Sequence, residues 1–195
     1  MVGRKIKTVS INFYIRSLFF ISALIVLNSH SLIAKPLKLS NTIEEYDLGT
    51  NLRVFEDEDS SKTFKDILYG NVIFSQGQEK ELNFGFGFST YWLRLDIELE
   101  ETLKGNWVIE FRYPLVDSLE IYIEQADGRF ERRTGGDSIE FSKREVDHVH
   151  PVFYMEDAFF HGQRIFFKVT SRDSMQIPLT IWKESKFNKN YNKKI

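Results

Sequence analysis

Two histidines separated by one residue, His148 and His150, are the residues of this sequence with the clearest potential for chemistry. On a β-strand, positions i and i+2 lie on the same face, so both imidazoles could bind one metal ion. Metalloenzymes that use an H-x-H pair on a strand also carry a glycine before the pair and a glutamate closely after it. Here Ser142 stands where the glycine is needed, and Glu156 comes too late. We therefore expect no metal centre and no cofactor.

Other forms of catalysis find little support in the residue types. The chain has no cysteine and no G-x-S-x-G motif, so the usual nucleophiles of covalent catalysis are not indicated. Any two of the 28 acidic residues could meet as a glycosidase pair, but no spacing nominates one. We predict that the protein has no catalytic residues and is not an enzyme.

The stretch from Tyr91 to Glu124 predicts the elements around which the chain is organised. Apolar and polar residues alternate with a period of two, which is typical of strands with one buried face. The residues predicted to face the core are Leu93, Leu95, Ile97 and Leu99, then Trp107, Ile109, Phe111 and Tyr113, then Leu119, Ile121 and Ile123. The loop from Glu101 to Asn106 suits a hairpin. We expect three consecutive strands of one antiparallel sheet over a core.

Similar patterns along the rest of the chain predict about ten strands, which favours a sandwich or barrel. One short helix is predicted over Ser61 to Tyr69, with Thr63 as its N-cap. Asp127-Gly128 predicts a hairpin with a primed turn. Asn83 to Phe88 alternates phenylalanine with glycine, and we expect these phenylalanines to face the core.

Eight short motifs occur in an order that resembles a known family. They are Y-W-L-R-L from Tyr91, Y-P-L-V-D from Tyr113, E-I-Y-I from Glu120, G-G-D from Gly135, F-S-K-R from Phe141, D-H at Asp147, P-V-F from Pro151 and P-L-T-I-W from Pro178. Together they resemble the type 2 extracellular sensor domain of bacterial seven-transmembrane receptors with diverse intracellular signalling modules. The resemblance runs from about Leu48 to Phe187.

The resemblance implies a periplasmic, jelly-roll-like antiparallel β-sandwich that binds a carbohydrate-like or other small ligand. Such a domain precedes membrane helices and a cytoplasmic output, whereas this sequence stops where that linker would begin. We therefore expect a sensing domain without its membrane and output modules. The polar residues of the motifs are the candidate ligand contacts: Arg94, Arg112, Asp117, Asp137, Arg144 and His148. Tyrosines such as Tyr91, Tyr113 and Tyr122 could stack on sugar rings.

The predicted domain organisation begins with a secretion signal over residues 1–34. A basic leader precedes an apolar run from Leu18 to Leu27, which spans about half of a hydrocarbon core. A cleaved signal helix ending at Ala34 is expected, with an uncleaved membrane anchor as the alternative. Residues 35–47 are expected to form an irregular leader, residues 48–187 the sandwich, and residues 188–195 a basic polar tail.

Charge and composition restrict the partners. Residues 1–34 hold four of the 26 Lys and Arg and none of the 28 Asp and Glu, so the rest has a net charge of −6. Such a surface gives no support for nucleic-acid binding. The family resemblance implies a small-molecule ligand and a membrane signalling protein as partners, and the predicted signal implies a periplasmic or secreted location. The alternatives are a protein-interaction β-sandwich and, more distantly, a cupin-like metalloenzyme.

Overall fold

The computed structural model describes residues 35–155, 159 and 161–191, which form thirteen strands and two α-helices. The strands are β1 (Leu37–Leu39), β2 (Glu45–Asp47), β3 (Arg53–Asp57), β4 (Ser75–Gln76), β5 (Leu82–Phe86), β6 (Thr90–Leu99), β7 (Trp107–Phe111), β8 (Ser118–Glu124), β9 (Phe130–Gly135), β10 (Val152–Met155), β11 (Arg164–Thr170), β12 (Ser174–Ile177) and β13 (Leu179–Lys183). The helices are α1 (Phe64–Tyr69) and α2 (Glu184–Tyr191). The signal predicted for residues 1–34 lies outside the described residues. None of the helices in the described ranges is long and apolar enough to cross a membrane.

The larger sheet is built around β6, the longest strand. Its order is β4-β3-β6-β11-β8-β9, and β1 runs parallel beside the second half of β6. The other pairs in this sheet are antiparallel. Leu93 on β6 pairs with Phe167 on β11, which pairs with Ile121 on β8, and all three are fully buried. The alternation therefore identified the core face of these strands correctly.

The smaller sheet has the antiparallel order β10-β7-β13-β2, while β5 and β12 form a separate two-stranded ribbon. Trp107, Ile109 and Phe111 on β7 are fully buried and belong to the same core cluster as Leu95 of β6. Burial of this large aromatic and aliphatic area between two sheets is the main force that stabilises the fold. The predicted all-β class, an antiparallel β-sandwich, is confirmed.

The predicted order of the three consecutive strands was wrong. Strands β6 and β8 lie in the larger sheet with β11 between them, and β7 lies in the smaller sheet between β10 and β13. The segment from Glu101 to Asn106 therefore carries the chain from one sheet to the other and is not a hairpin loop. Alternation fixes which side chains face the core, but it carries no information on which strand is the neighbour.

The predicted irregular leader and part of the predicted basic polar tail are ordered elements. Within residues 35–47, β1 buries Leu37 and Leu39 beside β6, and β2 pairs with β13. The segment from Glu184 to Tyr191, which overlaps the predicted basic tail, is helix α2. Phe187 of α2 is buried in a cluster with Val108 and Trp182 on the outer face of the smaller sheet. Tertiary packing orders both segments despite their polar composition.

Helix α1 forms where the sequence predicts it. The Asp66 backbone N–H donates to Thr63 Oγ1 at 3.4 Å, and the Thr63 N–H donates to the Asp66 carboxylate at 2.9 Å, which makes a capping box. The ring of Phe64 stacks on Tyr122 with centroids 4.0 Å apart. Helix α1 therefore covers part of the outer face of the larger sheet.

The β8–β9 hairpin forms at Asp127-Gly128, but its turn is not the predicted primed turn. The Gly128 N–H donates to the Gln125 carbonyl at 2.8 Å, and the Gln125 N–H donates to the Arg129 carbonyl at 2.7 Å. Gly128 has φ of 81°, whereas Asp127 does not have positive φ. This is a three-residue loop that ends in a left-handed glycine.

Replacing Gly128 with valine should lower the free energy of unfolding by about 1–2 kcal/mol, the cost of a left-handed L-residue. A Cβ at Gly128 meets no atom within 4 Å, so the effect comes from backbone conformation and not from a clash. Thermal unfolding should show a fall in Tm of several degrees, by the usual entropy scaling. Gly128→Asn is the matched control, because asparagine tolerates this conformation better. If both variants had the same Tm as the parent, Gly128 would not need the left-handed conformation, and this assignment of the turn would be wrong.

Candidate ligand-binding site

A polar cleft of about 700 Å³ lies between β2, the β5–β12 ribbon and the loop that precedes β5. It is lined by Asp47, Glu79, Lys80, Glu81, Leu82, Asn83, Gln176 and Pro178. Asn83 and Gln176 are opposite each other across the ribbon, next to an irregularity in its pairing. The volume suits a small molecule, and the lining offers carboxylate, amide and ammonium groups.

Arg112 holds two of the cleft's acidic residues in place. It follows β7, and its backbone N–H donates to the Pro178 carbonyl at 3.0 Å. Its Nη2 donates to Asp47 Oδ1 at 3.2 Å and to Glu81 Oε1 at 3.0 Å. The guanidinium is about a quarter exposed, so it joins β2 to the loop before β5 at the border of the cleft. Of the six residues predicted to contact ligand, Arg112 is the one that borders this cleft.

Two glycines position the loop that forms one wall of the cleft. The Gly49 N–H donates to the Lys80 carbonyl at 3.1 Å, and the Gly77 N–H donates to the Leu52 carbonyl at 2.8 Å. A Cβ on Gly49 would lie 2.2 Å from the Glu79 carbonyl oxygen, and one on Gly77 would lie 2.0 Å from the Gly49 oxygen. Only glycine allows these backbones to approach so closely. The positions of Glu79, Lys80 and Glu81 depend on this contact.

The groups in the cleft suit a ligand that presents several hydroxyl groups. Carboxylates accept hydrogen bonds, and the side-chain amides of Asn83 and Gln176 both donate and accept. Three carboxylates face one lysine in the lining, with the Lys80 ammonium 3.9 Å from Asp47. The excess of acceptors favours donors such as sugar hydroxyls over an anionic ligand.

Arg94 and Asp117 lie elsewhere and are held by ion pairs. Arg94 donates to Asp96 Oδ1 through Nε at 3.0 Å and Nη2 at 2.8 Å, on the outer face of the larger sheet. Asp117 accepts from the Arg172 backbone N–H at 2.5 Å and from its guanidinium at 3.0 Å. These hydrogen bonds from Arg172 hold the pKa of Asp117 below its usual range. The Asp117–Arg172 pair borders a smaller pocket of about 230 Å³ beside Phe88.

Asp137 and Arg144 also lie away from the cleft. Arg144 Nη1 donates to the His148 carbonyl at 3.3 Å, and its guanidinium lies 5.0 Å from the centre of the Phe141 ring. Asp137 is mostly exposed and lies 3.8 Å from Arg144 Nη2. Arg144 therefore braces its own loop. The six predicted contact residues are spread over several surfaces and do not form one site.

His148 belongs to a second polar cluster, which also contains His150 and Glu110. The potential ligand atoms of these three residues all lie within 4.8 Å of one another. Glu110 is fully buried in the middle of β7, and its Oε1 lies 2.7 Å from His150 Nδ1. Its Oε2 accepts from Trp182 Nε1 at 2.9 Å, and the Tyr191 hydroxyl of α2 donates to Oε1. Glu110 stands 38 positions before His148 in the sequence, so its spacing gives no sign that it joins the histidine pair.

Burial and hydrogen bonding set the charges in this Glu110 cluster. Burial would raise the pKa of Glu110, but hydrogen bonds from His150 and Tyr191 outweigh this effect and hold the pKa below its usual range. Glu110 is therefore ionised at neutral pH. Burial lowers the pKa of His148, so its neutral form is favoured. His148 Nδ1 accepts a hydrogen bond from the His150 backbone N–H at 3.1 Å.

Two tyrosines expected to contact a ligand are covered by phenylalanine rings, and two phenylalanines expected in the core are exposed. Tyr91 is buried beneath Phe84, with ring centroids 4.4 Å apart, and Phe64 covers Tyr122. Burial raises the pKa of both tyrosines. Phe86 and Phe88 are 84% and 87% exposed, so the expectation that they face the core was wrong. Phe86 is the last residue of β5 and Phe88 lies in the segment between β5 and β6, and neither belongs to a core cluster.

Comparison with solved structures and curated proteins adds little on ligands. One solved structure aligned with this chain comes from work on the promiscuous specificity of carbohydrate-binding modules from the β-sandwich superfamily. It is 13% identical, the alignment covers 68% of this chain and 51% of that chain, and the TM-score is 0.30. This chain thus corresponds to about half of that protein. No curated protein matches the sequence.

Comparison with protein families gives a clear result. The family described as 7TMR-DISM extracellular 2 matches residues 49–183, which is well over half of the chain. The match includes all of the sandwich strands from β3 to β13, together with Arg112 and most of the cleft lining. The chain therefore belongs to the family of type 2 extracellular sensor domains of 7TMR-DISM receptors.

Proposed function

We propose that this protein is a periplasmic, non-enzymatic ligand-sensing domain that binds a small polyhydroxy compound, such as a carbohydrate, in the cleft beside Arg112. The observation that carries the proposal is membership of a family of extracellular receptor domains. The cleft supports it, because about 700 Å³ and a lining rich in hydrogen-bonding groups suit such a ligand.

The proposed location and partner follow from the same family. A signal peptide over residues 1–34 would deliver the domain to the periplasm, where it would work with a membrane signalling protein. The proposed function needs no catalytic residues. Arg112, Asp47 and Glu81 hold one another by ion pairs, which suits a rigid binding surface more than proton transfer.

A thermal-shift screen of residues 35–195 tests ligand binding. A ligand that binds the folded state at a hundredfold excess over its Kd adds about 2.7 kcal/mol of stability. For a domain of this size, we expect Tm to rise by about 5–10 °C. Neutral sugars and oligosaccharides should give hits, and acidic compounds should not.

Substitutions of residues that line the cleft test whether a stabilising compound binds there. Gln176 is exposed in the cleft, so Gln176→Ala should leave the fold intact and reduce the shift. Glu79→Gln should do the same, whereas Glu58→Gln, an exposed acid outside the lining, is the matched control. A hit that persists unchanged in both cleft variants would place the ligand elsewhere. A broad sugar screen without hits would contradict the proposal.

A protein-interaction module is the second candidate function, and the exposure of Phe86 and Phe88 favours it. Two aromatic side chains that stand two positions apart, each more than four-fifths exposed, offer apolar surface that a partner could cover. If this function holds, a Phe86→Ser, Phe88→Ser double variant should lose a protein partner while keeping its fold. The same variant should keep any thermal shift that depends on Gln176, which separates the two candidates.

A further inference from the structure

We propose that Glu110, His148 and His150 form a binding site for a divalent transition-metal ion, with Zn²⁺ as the best match. Their ligand atoms lie within 4.8 Å of one another, and this is the one such cluster that the described residues contain. The expectation against a metal was based on the late position of Glu156. Here β7 supplies a different carboxylate, which the fold brings to the histidine pair.

The donor set is appropriate for zinc. Two imidazole nitrogens and one carboxylate oxygen make a three-ligand set that leaves a coordination position open. Imidazole favours zinc, copper, iron and nickel over calcium or magnesium, which prefer oxygen ligands. Zinc ligands at about 2.0–2.2 Å from the ion lie roughly 3.3 Å from one another. A separation of 4.8 Å would have to close by about 1.5 Å, and the 2.7 Å between Glu110 Oε1 and His150 Nδ1 would have to open by about 0.6 Å. A loop can provide movements of this size.

The ligand atom of Glu110 can be assigned from its hydrogen bonds. Trp182 Nε1 donates to Oε2 at 2.9 Å, whereas Oε1 lies 2.7 Å from His150 Nδ1 and also accepts from the Tyr191 hydroxyl. A metal ion bound by Oε1 and Nδ1 would replace the proton that these two atoms share. Each binding event would then release that proton to solvent. Trp182 would remain as an outer partner that orients the carboxylate.

The charge at this place also favours a cation. Glu110 is fully buried, and within the described ranges the His150 imidazole is the one basic group at ion-pair distance from its carboxylate. No lysine or arginine there neutralises the carboxylate at that distance. The His150 side chain is 20% exposed, so an ion can reach the cluster from solvent. A buried carboxylate beside two imidazoles is a stronger cation site than a surface acidic patch.

Titration of purified residues 35–195 with Zn²⁺ tests the site. After treatment with a chelator and desalting, calorimetry and elemental analysis should find one Zn²⁺ per chain. The Tm should rise with free zinc, and Co²⁺ should give a visible spectrum typical of tetrahedral coordination. His148→Ala should weaken binding by more than the roughly tenfold to hundredfold that loss of an outer-shell partner costs.

His161→Ala is the matched control, because His161 is exposed and lies outside the cluster. Its zinc affinity and cobalt spectrum should equal those of the parent. Glu110→Gln should abolish binding, and His150→Gln covers the case in which the buried Glu110 variant fails to fold. Absence of stoichiometric zinc in the folded parent would overturn the proposal. Equal binding by the parent and His148→Ala would overturn it as well.

Discussion

Replacing Gly49 with alanine is expected to lower the free energy of unfolding by about 3 kcal/mol, at the upper end of the usual range for overpacking. The new Cβ would lie 2.2 Å from the Glu79 carbonyl oxygen and 2.3 Å from that of Lys80. Both are backbone atoms, so no side-chain rotation can relieve the clash. The loop must move away, and the Gly49–Lys80 hydrogen bond is then lost.

The same variant should impair ligand binding, because Glu79, Lys80 and Glu81 line the cleft. Thermal unfolding of Gly49→Ala should show a fall in Tm of roughly 6–12 °C. Gly87→Ala is the matched control, since a Cβ there meets no atom within 4 Å and its φ needs no glycine. Its Tm should stay within about 2 °C of the parent. If Gly49→Ala and Gly87→Ala have the same Tm, the proposed packing of the loop is wrong.

The local features of this fold could be predicted because each depends on residues close in sequence. The capping box needs only Thr63 and Asp66, three positions apart, and it forms as expected. The core face of β6 follows from a period of two and needs no partner. Gly128 adopts the left-handed conformation that a hairpin at this position requires.

Strand neighbours could not be predicted, because pairing is decided by contacts between distant residues. Leu93 of β6 meets Phe167 of β11, which lies more than 70 positions later. The same limit applies to the cleft, whose lining combines Asp47 with Gln176. Asp47 stands in a segment whose sequence shows no strand pattern, and the pairing of β2 with β13 places it at the cleft.

The sequence of helix α2 contains a spacing of aromatic residues from which the helix could have been predicted. Phe187 and Tyr191 are four positions apart and therefore lie on one helical face. They pack with Trp182 against the outer face of the smaller sheet. Because all five residues of β7 are buried, something must cover both faces of that strand. Val108 and Glu110 lie on the outer face that α2 covers, which explains why a charged residue can be buried there.

Replacing Glu110 with alanine is expected to cost about 3–5 kcal/mol, because it removes a buried, ionised acceptor, and each hydrogen bond to a charged group contributes about 1.5–3 kcal/mol. Three donors would lose their acceptor at once: Trp182 Nε1, the Tyr191 hydroxyl and His150 Nδ1. Trp182 is buried, and a buried donor that loses its acceptor costs about 1–3 kcal/mol. Because these donors come from β13, α2 and the loop before β10, the substitution should also release α2 from the sheet.

Chemical denaturation in the presence of a chelator measures this effect without any contribution from bound metal. Glu98→Ala is the control, since Glu98 is a partly exposed strand carboxylate paired with Lys38 at 3.9 Å. Its removal should change stability by less than about 1 kcal/mol. Tyr191→Phe removes the hydrogen bond from the Tyr191 hydroxyl to Glu110 and should cost about 1.5–3 kcal/mol. Hydrogen exchange should then show faster exchange of the α2 amides in Tyr191→Phe, and faster still in Glu110→Ala. If Glu110→Ala is no more destabilising than Glu98→Ala, Glu110 does not hold α2 on the sheet.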